Sequence, residues 1–172
     1  MGTRRTALVA IGLLIGAVTG GCGQRVQQNT ALGISPTFQT AAMDLHHFVG
    51  DQVAQSRDLA TFESRLTQAR KQLGDLRLRA KTEADRHVVL LLALEMSKDN
   101  QRKRILFQTP DGPAYVAVQH EVASLYNERE QCRGEIDGWL GVGSAKIGAL
   151  TTGPCLTEAR QAVARLTQFA AH

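Results

Sequence analysis

The chain has 172 residues, with 20 Lys and Arg against 16 Asp and Glu, a formal net charge of +4, and 43% hydrophobic but only 5% aromatic residues. That is a globular composition, neither disordered nor collagen-like. Two of the positive charges, Arg4 and Arg5, stand at the extreme start, so the remainder is close to neutral and lacks the basic field that nucleic acid requires.

The first element is an apolar run, Ala7–Val18, preceded by those two arginines. It has the form of a secretory signal and is shorter than the ~20 residues that span a bilayer as a helix. Val18, Thr19, Gly20 and Gly21 follow, all small or β-branched, and then Cys22. These residues resemble the lipobox of bacterial lipoproteins. The resemblance covers residues 1–22 and implies that the Cys22 sulfur takes a diacylglyceryl group, that the bond between Gly21 and Cys22 is cut, and that fatty acyl chains such as palmitate anchor the product. Two or three chains, at ~0.8 kcal/mol per buried methylene, hold a protein stably where one does not. Gly23 stands where some lipoproteins carry an inner-membrane-retaining aspartate. The expected address is therefore the cell envelope, and the periplasmic face of the outer membrane in a bacterium with two membranes.

Loss of residues 1–21 leaves 151, enough for one domain with a real core. Residues 22–35 are expected to form the acylated cysteine and a flexible tether, and residues 36–172 the domain. Ser35-Pro36 reads as an N-cap followed by a proline at the first helical position. A first helix is predicted from Pro36 to Gln55, burying Phe38, Ala42, Leu45, Val49 and Val53, with Gly50 its weakest point.

From Phe62 to Leu94 small or apolar residues recur every three or four positions: Leu66, Ala69, Leu73, Leu76, Ala80, Ala84, His87, Leu91. This predicts a long central helix over 58–98, with a break or kink near Gly74 or Thr82. Val88–Leu94 is apolar all round and marks the middle of the bundle. Asp99–Pro113, with charge, two prolines and a glycine, reads as a loop that Asp111-Gly112-Pro113 closes. Tyr115, Val118, Val122, Leu125 and Cys132 predict the next helix. Gly134, Gly138, Gly141, Gly143, Gly148 and Gly153 then interrupt helix, until Gly153-Pro154 opens a last one carrying Leu156, Ala159, Val163, Leu166 and Phe169. No segment shows the alternation of a strand. The expected fold is all-α, an antiparallel bundle of four to five helices.

Cys132 and Cys155 remain once Cys22 is lipidated, an even number in a compartment that permits disulfides. A bridge between them is the expectation, a catalytic or metal-binding pair the alternative. The bridge would pin the glycine-rich stretch that holds the only tryptophan, Trp139, with Leu140, Val142 and Ile147. Those four are candidate partner-binding residues; the same residues could instead fold back as a lid over the bundle.

Chemistry-bearing patterns are sparse. Gly141–Lys146 begins like a dinucleotide-binding turn but lacks its third glycine and a preceding strand. Asp44, His47 and Asp51 share one helix face, and Glu83 with His87 another, spacings that serve a metal site or an ordinary surface pair. Arg70, Arg77, Arg79 and Lys81, and the run Gln101–Arg104, offer basic surfaces for anionic lipid or an acidic partner. Nucleophile, base and oxyanion donors do not assemble from any local motif, and no cofactor or metal is expected. The reading is a non-catalytic envelope lipoprotein, anchored through its lipid, that binds or chaperones another envelope protein. In plan it is similar to small helical lipoproteins that pilot secretion-channel subunits. The alternative is a ligand-binding or enzymatic helical domain with a site near His47 or His87.

Overall fold

The computed structural model describes residues 33–109, 113–142 and 147–169, and the side chains of all of these except 147, 148 and 166–169. The lipobox, Cys22 and most of the expected tether lie outside the described residues, as does the side chain of Ile147. Among the described residues six helices follow in order: α1 (Pro36–Phe48), continued by a π-helical segment (Val49–Val53), α2 (Leu59–Arg79), α3 (Glu83–Gln108), α4 (Pro113–Trp139), the short α5 (Ile147–Thr151) and α6 (Pro154–Phe169). Among the described residues there is no strand, and none of their helices is long and apolar enough to cross a membrane.

Helices α1 to α4 run alternately up and down, and α6 packs across α3 and α4. The central element is α3, which touches α1, α2, α4 and α6. Its Val88, Leu91 and Leu92 are fully buried, as the all-round apolar stretch demands. The five predicted core residues of the first helix, Phe38, Ala42, Leu45, Val49 and Val53, are all buried. Pro36 occupies the first helical position, but Ser35 does not cap α1 with its side chain.

The long helix expected over 58–98 is divided at Thr82, one of the two positions where a break is expected, and runs unbroken through Gly74. Residues 80–82 separate α2 from α3, Ala80 being extended at φ −69° and ψ 104°. The stop is set from the C-terminal side. The Thr82 hydroxyl accepts the Asp85 N–H at 3.0 Å, and the Asp85 carboxylate accepts the Thr82 N–H at 3.1 Å, a capping box that fixes the start of α3. The Asp58 carboxylate does the same for α2 by accepting the Thr61 N–H at 2.8 Å, and that bond holds Asp58 below its usual carboxylate range.

Two segments depart from the prediction. Residues 99–108, expected as loop, complete α3, because their charged side chains find partners across the bundle. The Lys103 Nζ donates to the Ser56 carbonyl at 2.8 Å, and Arg104 donates to Asn100 and faces Glu63. Gly134 and Gly138, expected to end helix, lie inside α4. Each costs about 1 kcal/mol against Ala, and burial of Ile136, Gly138 and Trp139 outweighs it.

The predicted bridge is present. Cys132 and Cys155 are joined, their Cα atoms 5.4 Å apart, and both are buried. Glu135, one turn on along α4, accepts the backbone N–H groups of Cys155 at 2.9 Å and Leu156 at 3.1 Å. A carboxylate there neutralises the positive end of α6. A Cβ on Gly153 would overlap that carboxylate, so the absence of a side chain at 153 is what admits it.

Candidate functional site

The densest polar constellation among the described residues lies inside the bundle, where α1, α3 and α4 meet. Glu95 and Asp99 of α3 are fully buried. They follow the apolar run on the same inward face, one helical turn apart. Opposite them on α4, also one turn apart, stand Arg133 and Arg129. The antiparallel register matches Glu95 with Arg133 and Asp99 with Arg129: Arg133 Nη1 donates to Glu95 Oε1 at 2.7 Å, and Arg129 Nε donates to Asp99 Oδ2 at 2.9 Å. Arg129 also faces Glu95 at 3.7 Å and pairs with Glu130. One turn further, Arg102 donates to Asp99 at 3.2 Å and lies over the Tyr126 ring, 5.6 Å from its centroid.

From α1, His46 closes the network. Its Nδ1 is 3.1 Å from Glu95 Oε2 and its Nε2 is 3.2 Å from Asp137 Oδ1. A neutral imidazole has one N–H, so both carboxylates receive a hydrogen bond only when the ring carries its second proton. Gly50, in the π-helical segment, lies against the Arg133 guanidinium, whose Cζ would stand 2.8 Å from a Cβ there.

Burial raises the Asp99 carboxyl above its usual range, although Arg129 and Arg102 act the other way. For Arg133 burial works against the charge, but Glu95 together with Glu130 and Asp137 outweighs it and the guanidinium is held more firmly protonated. A satellite lies at the α6 crossing. The buried Lys98 ammonium is 2.5 Å from Glu128 and 2.7 Å from Glu158. Burial disfavours its charge, yet the two carboxylates raise it overall.

This network can hold three helices in one register, since a slip of one turn would leave buried charges unpaired. Two surface grooves are separate from it. One, of about 290 Å³, lies between α1 and α2 beside Asp44, Phe48, Asp75 and Arg79. The other, of about 240 Å³, lies between α2 and α3 beside Arg70, Met96 and Asn100. Neither is lined by His46, His47, His87 or Glu95.

The predicted site residues fall as follows. Asp44, His47 and Asp51 are exposed, and no group of three His, Cys, Asp or Glu among the described residues is arranged to hold a metal ion. The neighbouring His46 is the inward histidine. His87 is buried on its apolar stripe: Arg160 Nη2 approaches its Nε2 at 2.7 Å, Glu83 is at 3.4 Å, and its ring meets Trp139 edge-on at 5.3 Å. Trp139 and Leu140 are buried at 3% and 1% exposure. Of the two arrangements open to this stretch, an outward surface or one folded back on the bundle, these two residues take the inward one; what differs from the expectation is that Trp139 is still helical. Trp139 ends α4 and Leu140 continues its hydrogen bonding, its N–H on the Ile136 carbonyl and its own carbonyl accepting from Gln39 Nε2. Val142 keeps its side chain exposed. The run Gln101–Arg104 is engaged within the fold through Arg102, Lys103 and Arg104, and is not an open basic patch.

Sequence reasoning missed His46, Asp99, Arg129 and Arg133, and the ion pairing of Glu95, which it sets beside His47 and His87 as a candidate cavity residue. Their signal is positional: Glu95 and Asp99 continue the stripe of Leu91, and Arg129 sits four residues after Leu125, between it and Cys132. No protein-family model matches the chain, and neither a curated protein nor a solved structure is found similar to it.

Proposed function

We propose that the chain is a non-catalytic, lipid-anchored protein of the cell envelope whose helical domain binds or chaperones another envelope protein. The observation that carries this reading is the run Val18-Thr19-Gly20-Gly21-Cys22 behind an apolar signal, joined through a short polar stretch to a helical domain. The architecture of that domain supports it. Glu95, Asp99, Arg129 and Arg133 are engaged with one another, and the disulfide secures α6, so the buried chemistry serves rigidity. With Trp139 and Leu140 in the core, the apolar side chains open to a partner include Val142 and, at the end of the bundle away from Ser35, Leu59 and Val116.

Metabolic labelling with a fatty-acid analogue tests the anchor. Wild-type protein takes the label and Cys22→Ala does not; label retained in the variant would overturn the lipidation. Fractionation then places the acylated protein with the outer membrane in a two-membrane bacterium. Cross-linking in intact cells, followed by detergent solubilisation and pull-down, recovers a stoichiometric envelope partner, and its absence counts against the binding role.

One observation favours the second reading, a ligand-binding or enzymatic domain. His87 Nδ1 and Trp139 Nε1 are buried with no hydrogen-bond partner among the described residues, on rings that touch. Two such donors suit a small acceptor ligand. Because Trp139 is the only tryptophan, its fluorescence reports directly on any ligand entering there, and a saturable change would move the assignment to this reading.

A further inference from the structure

We infer that the end of the bundle where the tether joins it docks on anionic phospholipid headgroups through Arg77, Lys81 and Arg86, with Leu78 entering the headgroup layer. The inference rests on the lipid-anchored reading above.

The entry point of the chain and the turn between α2 and α3 are held by one side chain. Asp85, fully buried, accepts the backbone N–H of Ser35 at 3.2 Å and its hydroxyl at 3.3 Å, and also the backbone N–H groups of Lys81 at 3.0 Å and Thr82 at 3.1 Å. The residues that follow the tether and the residues of this turn therefore share one end of the molecule. From Cys22 to Ser35 the chain advances 13 residues, a reach of at most about 45 Å. Residues 23–34 contain one charged residue, Arg25. An anchor at Cys22 holds Ser35, and with it this end of the bundle, within that reach of the bilayer.

The break in the predicted long helix concentrates positive charge there. Arg77, Arg79, Lys81 and Arg86 are exposed, and among the described residues none of the four makes a salt bridge. The nearby acids only partly oppose them. Asp85 is engaged by the N–H groups just named, Glu83 faces His87 at 3.4 Å, and Asp44 and Asp75 share a groove with Arg79. Arg77, Lys81 and Arg86 are left facing outward. Between Arg77 and Arg79, Leu78 is 87% exposed, more than any other large hydrophobic residue described. An isolated leucine between two arginines gains nothing in water. At a bilayer it buries its side chain while the guanidinium groups reach phosphates. A second, electrostatic contact beside an acyl anchor orients the domain.

The test uses the acylated full-length protein, purified in detergent and reconstituted with phosphatidylcholine vesicles, with or without phosphatidylglycerol. An environment-sensitive fluorophore is placed at Leu78→Cys and, as control, at Val116→Cys, which is 65% exposed at the opposite end. Flotation reads the anchor and fluorescence reads the face. The expected result is flotation with both vesicle types, with a blue-shifted, brighter signal at position 78 only when phosphatidylglycerol is present, reversed by high salt. The label at 116 stays as in water. Each of Arg77→Gln, Lys81→Gln and Arg86→Gln shifts the docked-to-undocked ratio roughly fivefold towards the undocked state. Protein that floats but keeps position 78 in water, or responds equally on both vesicle types or at both labels, overturns this inference and leaves the anchor standing. Protein that does not float overturns the anchor and the inference together.

Discussion

Gly50 lies directly against the guanidinium of Arg133, in the space a methyl group would need. The contact explains why the one glycine of the first segment sits where the helix widens into a π turn, closed by the Ala54 N–H on the Val49 carbonyl at 3.0 Å. π turns accommodate one residue too many for the regular ladder, and here the residue without a side chain falls beneath the cation that pairs with Glu95. Gly50→Ala is expected to destabilise the fold by about 1–3 kcal/mol, although Ala is the better helix former. Denaturant unfolding measures it. If Arg133 is the cause, Gly50→Ala in an Arg133→Met background loses most of that penalty.

Glu95 is fully buried and faces Arg133, Arg129 and His46 at once. Removing it leaves cations buried without compensation, so Glu95→Ala is expected to cost about 3–5 kcal/mol. Glu95→Gln keeps the shape and one acceptor oxygen and should cost less. Equal losses in the two variants, measured by urea unfolding, would mean that volume and not charge matters at this position.

Joining Cys132 to Cys155 closes a loop with a sequence separation of 23, for which chain entropy gives about 3 kcal/mol. The double change to Ser is expected to lower Tm by roughly 6–12 °C for a domain of this size. Trypsin should then cut α6 first, at the exposed Arg160 and Arg165, while α3 stays protected by the burial of Val88, Leu91 and Leu92. Early cleavage within α3 would show that the bridge supports the whole bundle and not α6 alone.

His87 titrates below its ordinary value of 6.5, because burial disfavours the imidazolium and Arg160 repels it, with Glu83 acting the other way. The unfolded chain therefore binds a proton in a range where the folded chain does not, and stability rises with pH across that range. The contribution of neutral His87 is complete above about 6.5 and is lost as the pH falls from there through the lowered folded value. His87→Leu is expected to flatten this part of the Tm-against-pH curve relative to wild type. Parallel curves for the two proteins would assign the acid sensitivity to other groups.

The buried stripes were legible because period is a local property. Phe38, Ala42, Leu45, Val49 and Val53 could be read from spacing, and so could Val122, Leu125 and Cys132. Periodicity failed where it was continuous across a break. Leu76, Ala80 and Ala84 keep helical spacing through the turn at 80–82, and only the Thr82–Asp85 capping pair marks the restart. It failed again where tertiary contacts overrode composition, at the charged end of α3 and at Gly134 and Gly138. The ionic network stayed hidden because a charge on a helix is ordinarily solvated. What distinguishes Glu95, Asp99, Arg129 and Arg133 is that each steps by four along a face already apolar, and that the two faces oppose one another. The pairing becomes visible only when the α3–α4 register is known.

The grip of Asp85 on Ser35 also decides how the domain carries mechanical load. Tension applied to the chain ahead of Ser35 meets two hydrogen bonds to Asp85 before it reaches the first turn of α1. Asp85 lies in the first turn of α3, the helix that contacts α1, α2, α4 and α6. A pull is thus passed into the most heavily braced element and shared among its neighbours, instead of unzipping α1 from its free end. Asp85→Ala would move the point of failure to Pro36, and the force needed to open the domain would fall.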